Sequence, residues 1–365
     1  MKTHLSRAGL LILAIIVTAL LQADTLANVQ DIRVYQEMNG VYPPLATLLF
    51  FLINTLPSTF AEGWILFLGL ALLLTLFYTH KYLDEKNTYA VPAIAILSIF
   101  LLGFQITMAR YDVLILLLMF LTWKAFEKKR FRDSAIFLTV AGGLKLLPII
   151  VLSILWKSTP KKNRDAILHG FLIGLGITII LPFALLGEGF VEQNIQTLLS
   201  EHAGRGVQIE SVWSGLHMLG QNLIGEKSII SVEALAWDNA QLGREVQLLA
   251  IFLLFAGLIQ IFTRTKPKSF EKNFFMMIVW MLAVSPVLSP QYLVWVLPLI
   301  LLWALDQKHA RNIIICIVVI GAATQWIFPL HYREFVLQTS ILNTMILNMR
   351  NIALFVLIGL IYKSR

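Results

Sequence analysis

The feature that most constrains this chain is a series of about ten apolar segments, each near the length a hydrocarbon core demands, with charges gathered at their ends. They fall at residues 8–23, 61–79, 91–107, 112–126, 166–186, 245–262, 273–288, 291–305, 312–328 and 348–362. A chain so built has few folds open to it. Only 14% of its residues are charged, well short of the roughly one quarter that covers a water-soluble globule. The expected fold is therefore all-α and polytopic. The first segment has a basic start (Lys2, Arg7) but lacks a small-x-small cleavage site before Asp24, and reads as an uncleaved helix. Cys316 is the single cysteine and lies inside an apolar run, which excludes a disulfide scaffold and a cysteine-based zinc site.

Two further apolar stretches are ambiguous by length. Residues 44–56 are short for a span, and residues 134–156 are long enough but carry Gly142, Gly143, Lys145 and Pro148. Charge arbitrates, because short cytoplasmic loops are rich in Lys and Arg. Seven basic clusters, opening with Lys2 and Arg7 and closing with Lys363 and Arg365, share one side only if 44–56 does not cross and 134–156 enters and returns. The predicted architecture is thus about ten spans plus a broken or re-entrant helical hairpin. Both termini are expected to be cytoplasmic. This arrangement puts 21 of the 29 basic and 7 of the 21 acidic residues inside, so the net +8 divides into +14 within and −6 outside. The positive charge is topological and gives no support to nucleic-acid binding.

Residues 1–365 read as a single transmembrane domain with long outer loops at 24–60, 187–244 and 329–347. Loops carry chemistry more often than scaffold does. In the first loop, Asp31 could take a proton from a hydroxyl and Arg33 could bind an anion, although a solvated pair is the commoner reading of such spacing. Arg110-Tyr111-Asp112 opens a span from the outer side, either as an interfacial anchor or as part of a site. Lys145 is more telling. A lysine at membrane depth costs about 3 kcal/mol even on the lenient insertion scale and should face a polar cavity or a partner. The flanking glycines and Pro148 allow the helix to break there.

The second outer loop carries His202-Ala-Gly204-Arg205-Gly206, where glycines let backbone approach a ligand, followed by Gln208 and Glu210. Ser289-Pro290-Gln291-Tyr292 places polar groups at the membrane edge, and His331 lies in the third loop. No Asp-x-Asp pair and no phosphate-cradling glycine loop occurs, which argues against a cytosolic nucleotide donor. One carboxylate, several arginines, a membrane-depth lysine and histidines suit a phosphate-bearing lipid attacked by a hydroxyl.

Five segments in order now resemble the GT-C class of integral-membrane glycosyltransferases, particularly its polyprenyl-phosphate-mannose-dependent mannosyltransferases. They are Asp31 to Pro44, Met108 to Asp112, Gly142-Gly143-Leu144-Lys145-Leu146-Leu147-Pro148, His202 to Ser211, and Ser289 to Trp295. The resemblance implies inverting transfer of a hexose, with mannose the first expectation, from a polyprenyl-phosphate donor to an extracytoplasmic lipid or glycan acceptor. Asp31 would be the general base. Arg110, Lys145, Arg205 and His331, in that order, would stabilise the departing phosphate, with Arg33, Asp112, His202, Gln208, Glu210, Gln291 and Tyr292 as further substrate contacts. The single acidic candidate in the first loop, rather than an adjacent pair, implies a mechanism without a metal, and no cofactor is expected beyond the lipid-linked donor. The expected partners are membrane lipids, the donor and the acceptor, and no nucleic acid. Two rivals stay open, a secondary transporter or lipid flippase and an oligosaccharide-lipid polymerase or ligase.

Overall fold

The computed structural model describes residues 42–56, 60–84, 110–204, 206–226, 228–233, 236–266 and 269–364. The predicted segments 8–23 and 91–107 lie outside them, as do Asp31, Arg33 and Arg205. The chain is an all-α polytopic membrane protein. Among the described residues four helices are long and apolar enough to cross a bilayer: Lys161–Leu186, Arg244–Arg264, Ala310–Leu330 and Ile341–Lys363.

Helix α1 (Pro44–Asn54) starts at a proline, whose fixed φ and missing N–H suit the first helical position. Its 11 residues span roughly 16 Å, about half a hydrocarbon core. Helix α2 (Phe60–Asp84) follows and packs on α3 (Asp112–Glu127). Tyr42, Phe50 of α1, Trp64 of α2 and Tyr111 join these elements through ring contacts with centroids 5.4 to 5.6 Å apart. Helix α3 is apolar around most of its circumference, and its buried Val113, Ile115, Met119, Phe120 and Trp123 place it in the core.

The stretch 134–156 breaks where its sequence implied. Helix α4 (Phe131–Leu144) ends at Lys145, whose backbone is extended at φ −153° and ψ 120°. A 3-10 turn over Leu147–Val151 and helix α5 (Leu152–Ser158) follow. A continued helix would drive the Pro148 ring into the Leu144 carbonyl, so Pro148 enforces the break. The chain also turns back on itself. A Cβ on Gly142 would lie 2.9 Å from Cβ of Ile149, whereas seven residues of unbroken helix would separate them by roughly 10 Å.

Helix α6 (Arg164–Leu175) packs closely on α4 and runs through a π turn over Gly176–Ile180 into α7 (Leu181–Leu186). Pro182 lacks the N–H that would bond to the carbonyl of Thr178, and the wider turn absorbs the mismatch. Gly143 fixes how closely α4 approaches this turn. A Cβ there would fall 2.0 Å from Cγ2 of Thr178, so only glycine lets the segment leading into Lys145 lie against α6.

The predicted outer loop 187–244 is largely ordered. It holds α8 (Glu188–Gly204), α9 (Val212–Leu223), and an antiparallel pair, β1 (Ile230–Glu233) with β2 (Ala236–Asn239), in which Ile230 faces Asn239. The strand pair was not foreseen. It pins the preceding loop: the Gly206 N–H donates to Oδ2 of Asp238 at 3.0 Å, and Asn239 donates to Ser214 Oγ at 3.2 Å.

Helices α10 (Arg244–Arg264) and α11 (Phe270–Val284) match predicted spans within a few residues. The predicted span 291–305 instead begins as a 3-10 turn, Pro290–Trp295, before α12 (Leu297–Ala304). Helix α13 (Ala310–Gln325) continues through a π turn to Leu330, and a short α14 (Tyr332–Gln338) precedes α15 (Ile341–Lys363). Helix α15 starts seven residues before the predicted 348, which shortens the predicted loop 329–347. Asn343 lowers the apparent hydropathy of the missed stretch, yet it is buried, as are Asn348, Arg350 and Asn351 further along the helix.

Candidate functional site

The break after α4 delivers Lys145 to the first turn of α3. Its ammonium lies 2.7 Å from Oδ1 of Asp112, and the same oxygen accepts the indole N–H of Trp295 at 2.6 Å. Three rings surround the cation: Tyr292 at 4.6 Å, Tyr111 at 5.1 Å and Trp295 at 5.3 Å from Nζ to centroid. Cation–π attraction strengthens in a desolvated setting, so this environment compensates an ammonium drawn away from water. Tyr111 also donates its hydroxyl to the Leu144 carbonyl at 3.2 Å, tying α3 to the end of α4.

Local structure explains why these groups meet. Tyr292 and Trp295 are three apart in a 3-10 turn, the spacing that eclipses side chains, and their rings lie 4.7 Å apart. Asp112 sits in the first turn of α3, where the helix dipole favours negative charge. Asp112 is fully buried, while the Lys145 side chain keeps 13% exposure. The second carboxylate oxygen, Oδ2 of Asp112, is buried without a hydrogen-bond partner among the described residues.

A second polar cluster joins the 187–244 loop to α15. Arg350, fully buried, donates to Oε2 of Glu210 at 2.9 Å, to the Glu210 carbonyl, and to Oδ1 of Asn351. Asn348 donates to the Gly215 carbonyl at 2.7 Å. Burial pushes the Glu210 carboxyl up to about 7, against the pull of Arg350 beside it. The clusters are linked through the chain, because the Gln208 N–H donates to the Pro286 carbonyl at 3.0 Å, just upstream of the turn bearing Tyr292 and Trp295.

Of the residues singled out from sequence, Asp112, Lys145 and Tyr292 are brought together, with Gln291 adjacent and accepting from Ser289 Oγ at 2.7 Å. Arg110 is half-buried immediately before them. Gln208 and Glu210 belong to the second cluster. The His331 ring stacks on Trp326 at 4.2 Å, with Nδ1 3.0 Å from the Trp326 carbonyl. The backbone of His202 lies in α8. Asp31, Arg33 and Arg205 lie outside the described residues.

Sequence reasoning passed over two residues. Trp295 carries a signal in its spacing of three from Tyr292 within Pro290–Trp295. Arg350 was counted only as a charge, although a cation inside an apolar run calls for a buried partner by the same logic that picked out Lys145. Among the described residues no group of three His, Cys, Asp or Glu side chains is placed to hold a metal ion. A family model described as Glycosyltransferase family 87 matches residues 41–290, and no curated protein matches the chain.

Proposed function

The chain belongs to glycosyltransferase family 87, a GT-C-like family of membrane glycosyltransferases, and from that membership we propose that it transfers a hexose from a polyprenyl-phosphate donor to a hydroxyl of a lipid or glycan acceptor. Mannose is the first candidate for the sugar. The reaction belongs at the extracytoplasmic face, with both termini cytoplasmic.

The observation that carries this reading is the placement of Lys145. It is an ammonium held at a helix break by one carboxylate and three rings, with part of its surface left open. A lipid phosphate approaching from the membrane would meet a cation already oriented. That arrangement stabilises charge as it develops on a departing phosphate, without reorganisation at the moment of reaction. In the proposed step the acceptor oxygen bonds to the anomeric carbon while the bond from that carbon to the phosphate oxygen breaks. The electron pair leaves with the phosphate toward Lys145, and the acceptor proton passes to Asp31. Asp31 precedes Tyr42 by eleven residues, and the Tyr42 ring packs on Tyr111 at 5.6 Å, so the first loop ends beside the Lys145 cluster. Arg110, next to Tyr111 in sequence, would add positive charge near the same phosphate. The step as written requires the lipid-linked sugar, the acceptor and no further cofactor.

The test is transfer from labelled polyprenyl-phosphate-mannose, with its glucose and arabinose analogues, by membranes containing the protein. Capture of a glycosylated product by wild-type protein, lost in Asp31→Asn and in Lys145→Gln, is the expected result. Full transfer by Asp31→Asn would remove the base assignment. No transfer from any of these donors together with solute uptake would favour a transporter.

A further inference from the structure

The Lys145 cluster leaves one strong acceptor unused. Oδ1 of Asp112 takes both the Lys145 ammonium and the Trp295 indole, while the buried Oδ2 takes nothing among the described residues. A buried carboxylate oxygen without a donor costs more than a neutral acceptor would, and such groups in native proteins call for an explanation. Asp112 is not needed in this state merely to neutralise Lys145, because a carboxylate accepting through both oxygens would do that at lower cost. Its position beside the part-exposed Lys145 side chain, with Tyr111 and Tyr292 alongside, is that of a group awaiting a hydrogen-bond donor.

We propose that Asp112 reads the transferred sugar, with Oδ2 accepting a hydrogen bond from one ring hydroxyl of the hexose whose phosphate Lys145 engages. The proposal rests on the donor reading above and deepens it. Lys145 already balances the carboxylate, so a neutral donor suits Oδ2 better than a second cation. A hydroxyl is the donor that a sugar brings. Phosphate and hydroxyl are a few bonds apart in a sugar phosphate, and Lys145 and Oδ2 share one carboxylate group, the ammonium lying 2.7 Å from its other oxygen, Oδ1. Trp295 is then a positioning residue. Its N–H is bonded to Oδ1 and so leaves Oδ2 for another donor.

A donor series lacking each ring hydroxyl in turn tests this in nanodiscs, with kcat and KM measured separately for wild type and Asp112→Asn. Wild type should lose roughly ten- to a hundredfold in kcat/KM for one deoxy position only, the value of a hydrogen bond to a charged acceptor. In Asp112→Asn, where a neutral amide replaces the carboxylate, that penalty should shrink to a few-fold even though overall turnover falls. Wild type indifferent to every ring hydroxyl, or an unchanged penalty in Asp112→Asn, would overturn the assignment while leaving the donor reading standing. Wild type that transfers no sugar from any member of the series removes the donor reading and the assignment together. Should Asp112→Asn fail to accumulate, Trp295→Phe keeps an aromatic ring and the carboxylate but removes the N–H bonded to Oδ1. Loss of discrimination at one ring hydroxyl, as the carboxylate loses the N–H that positions it, supports the proposal, and the full wild-type penalty retained would remove the positioning role of Trp295.

Discussion

Two carboxylates in this protein are gripped by tryptophan indoles at opposite ends of α3, and they are gripped differently. Glu271, in the first turn of α11, gives one oxygen to each of two indoles: Oε1 accepts from Trp123 at 3.2 Å and Oε2 from Trp303 at 3.1 Å. Asp112 loads both its donors onto Oδ1 and keeps Oδ2 bare. Asp112 and Trp123 are eleven residues apart in one helix, or roughly 16 Å along its axis. A satisfied carboxylate is a clasp among α3, α11 and α12. A half-satisfied one beside a part-exposed lysine is a place for a ligand. The same residue types thus do structural work at one end of a helix and are poised for chemistry at the other, and the difference lies in which oxygens are already occupied.

The comparison breaks most readily at Lys145. Lys145→Met removes the proposed phosphate contact and should lower transfer by about 10²- to 10³-fold, the loss typical of deleting one preorganised charge-stabilising group. It also leaves Asp112 charged and buried without its cation, which should cost roughly 3–5 kcal/mol of stability. The double variant Lys145→Met with Asp112→Leu should recover most of the stability in thermal unfolding but none of the transfer, separating the two roles.

Arg350→Met should be nearly as damaging to stability, again roughly 3–5 kcal/mol, because it strands Glu210. Its effect should appear as loosening of the 187–244 loop, measured by limited proteolysis. A smaller effect is expected at the other carboxylate. Glu271→Gln keeps one acceptor oxygen and turns an N–H₂ toward the second indole, which should cost roughly 1–3 kcal/mol with kcat unchanged in the folded fraction. Loss of kcat in that variant would erase the contrast between the two ends.

Gly143→Ala places a methyl where Thr178 Cγ2 already stands 2.0 Å away and should cost roughly 1–3 kcal/mol. Because the strain falls two residues before Lys145, KM for the donor should rise as well, and Thr178→Ala should restore part of both. The smallest effect concerns pH. The Glu210 carboxyl is raised from 4.5 to about 7 in the folded protein, so folding favours its protonated form. The stability this contributes is full below 4.5 and is lost as pH rises through about 7. The melting temperature of wild type should therefore fall across that window relative to Glu210→Gln. A constant difference would show that the carboxyl titrates alike in both states.

Much of the fold could be read before any coordinates, and for particular reasons. The break at Lys145 was legible because a charge, two glycines and a proline contradict a continuous apolar helix. The shortness of α1 was legible from its length alone. The strand pair at 230–239 was not, because four-residue strands of mixed polarity carry no periodic signal and form here by pairing with each other and bridging to Gln208. The early start of α15 was hidden by Asn343 in the missed turns, whose polarity is absorbed by Trp326; Asn348, Arg350 and Asn351, inside the predicted span, are met by Glu210, Gly215 and one another. Single-sequence hydropathy counts such residues as exposed. It has no access to the partner that lets them be buried.

By itself the sequence determined the class of the protein. Apolar length, charge placement and the scarcity of charge admit only a helical membrane protein, because the bilayer allows few ways to satisfy a backbone. It also determined that Lys145 needed company. Which company was decided only in three dimensions. Asp112 is 33 residues from Lys145 and Trp295 is 183 from Asp112, and nothing local to any of them fixes that they meet on one carboxylate oxygen. That choice follows from how closely α4 approaches the π turn after α6 at Gly143 and from the turn that aims Tyr292 and Trp295 at the break. Tertiary packing left Oδ2 of Asp112 without a donor, and the specificity of the site is proposed to reside there.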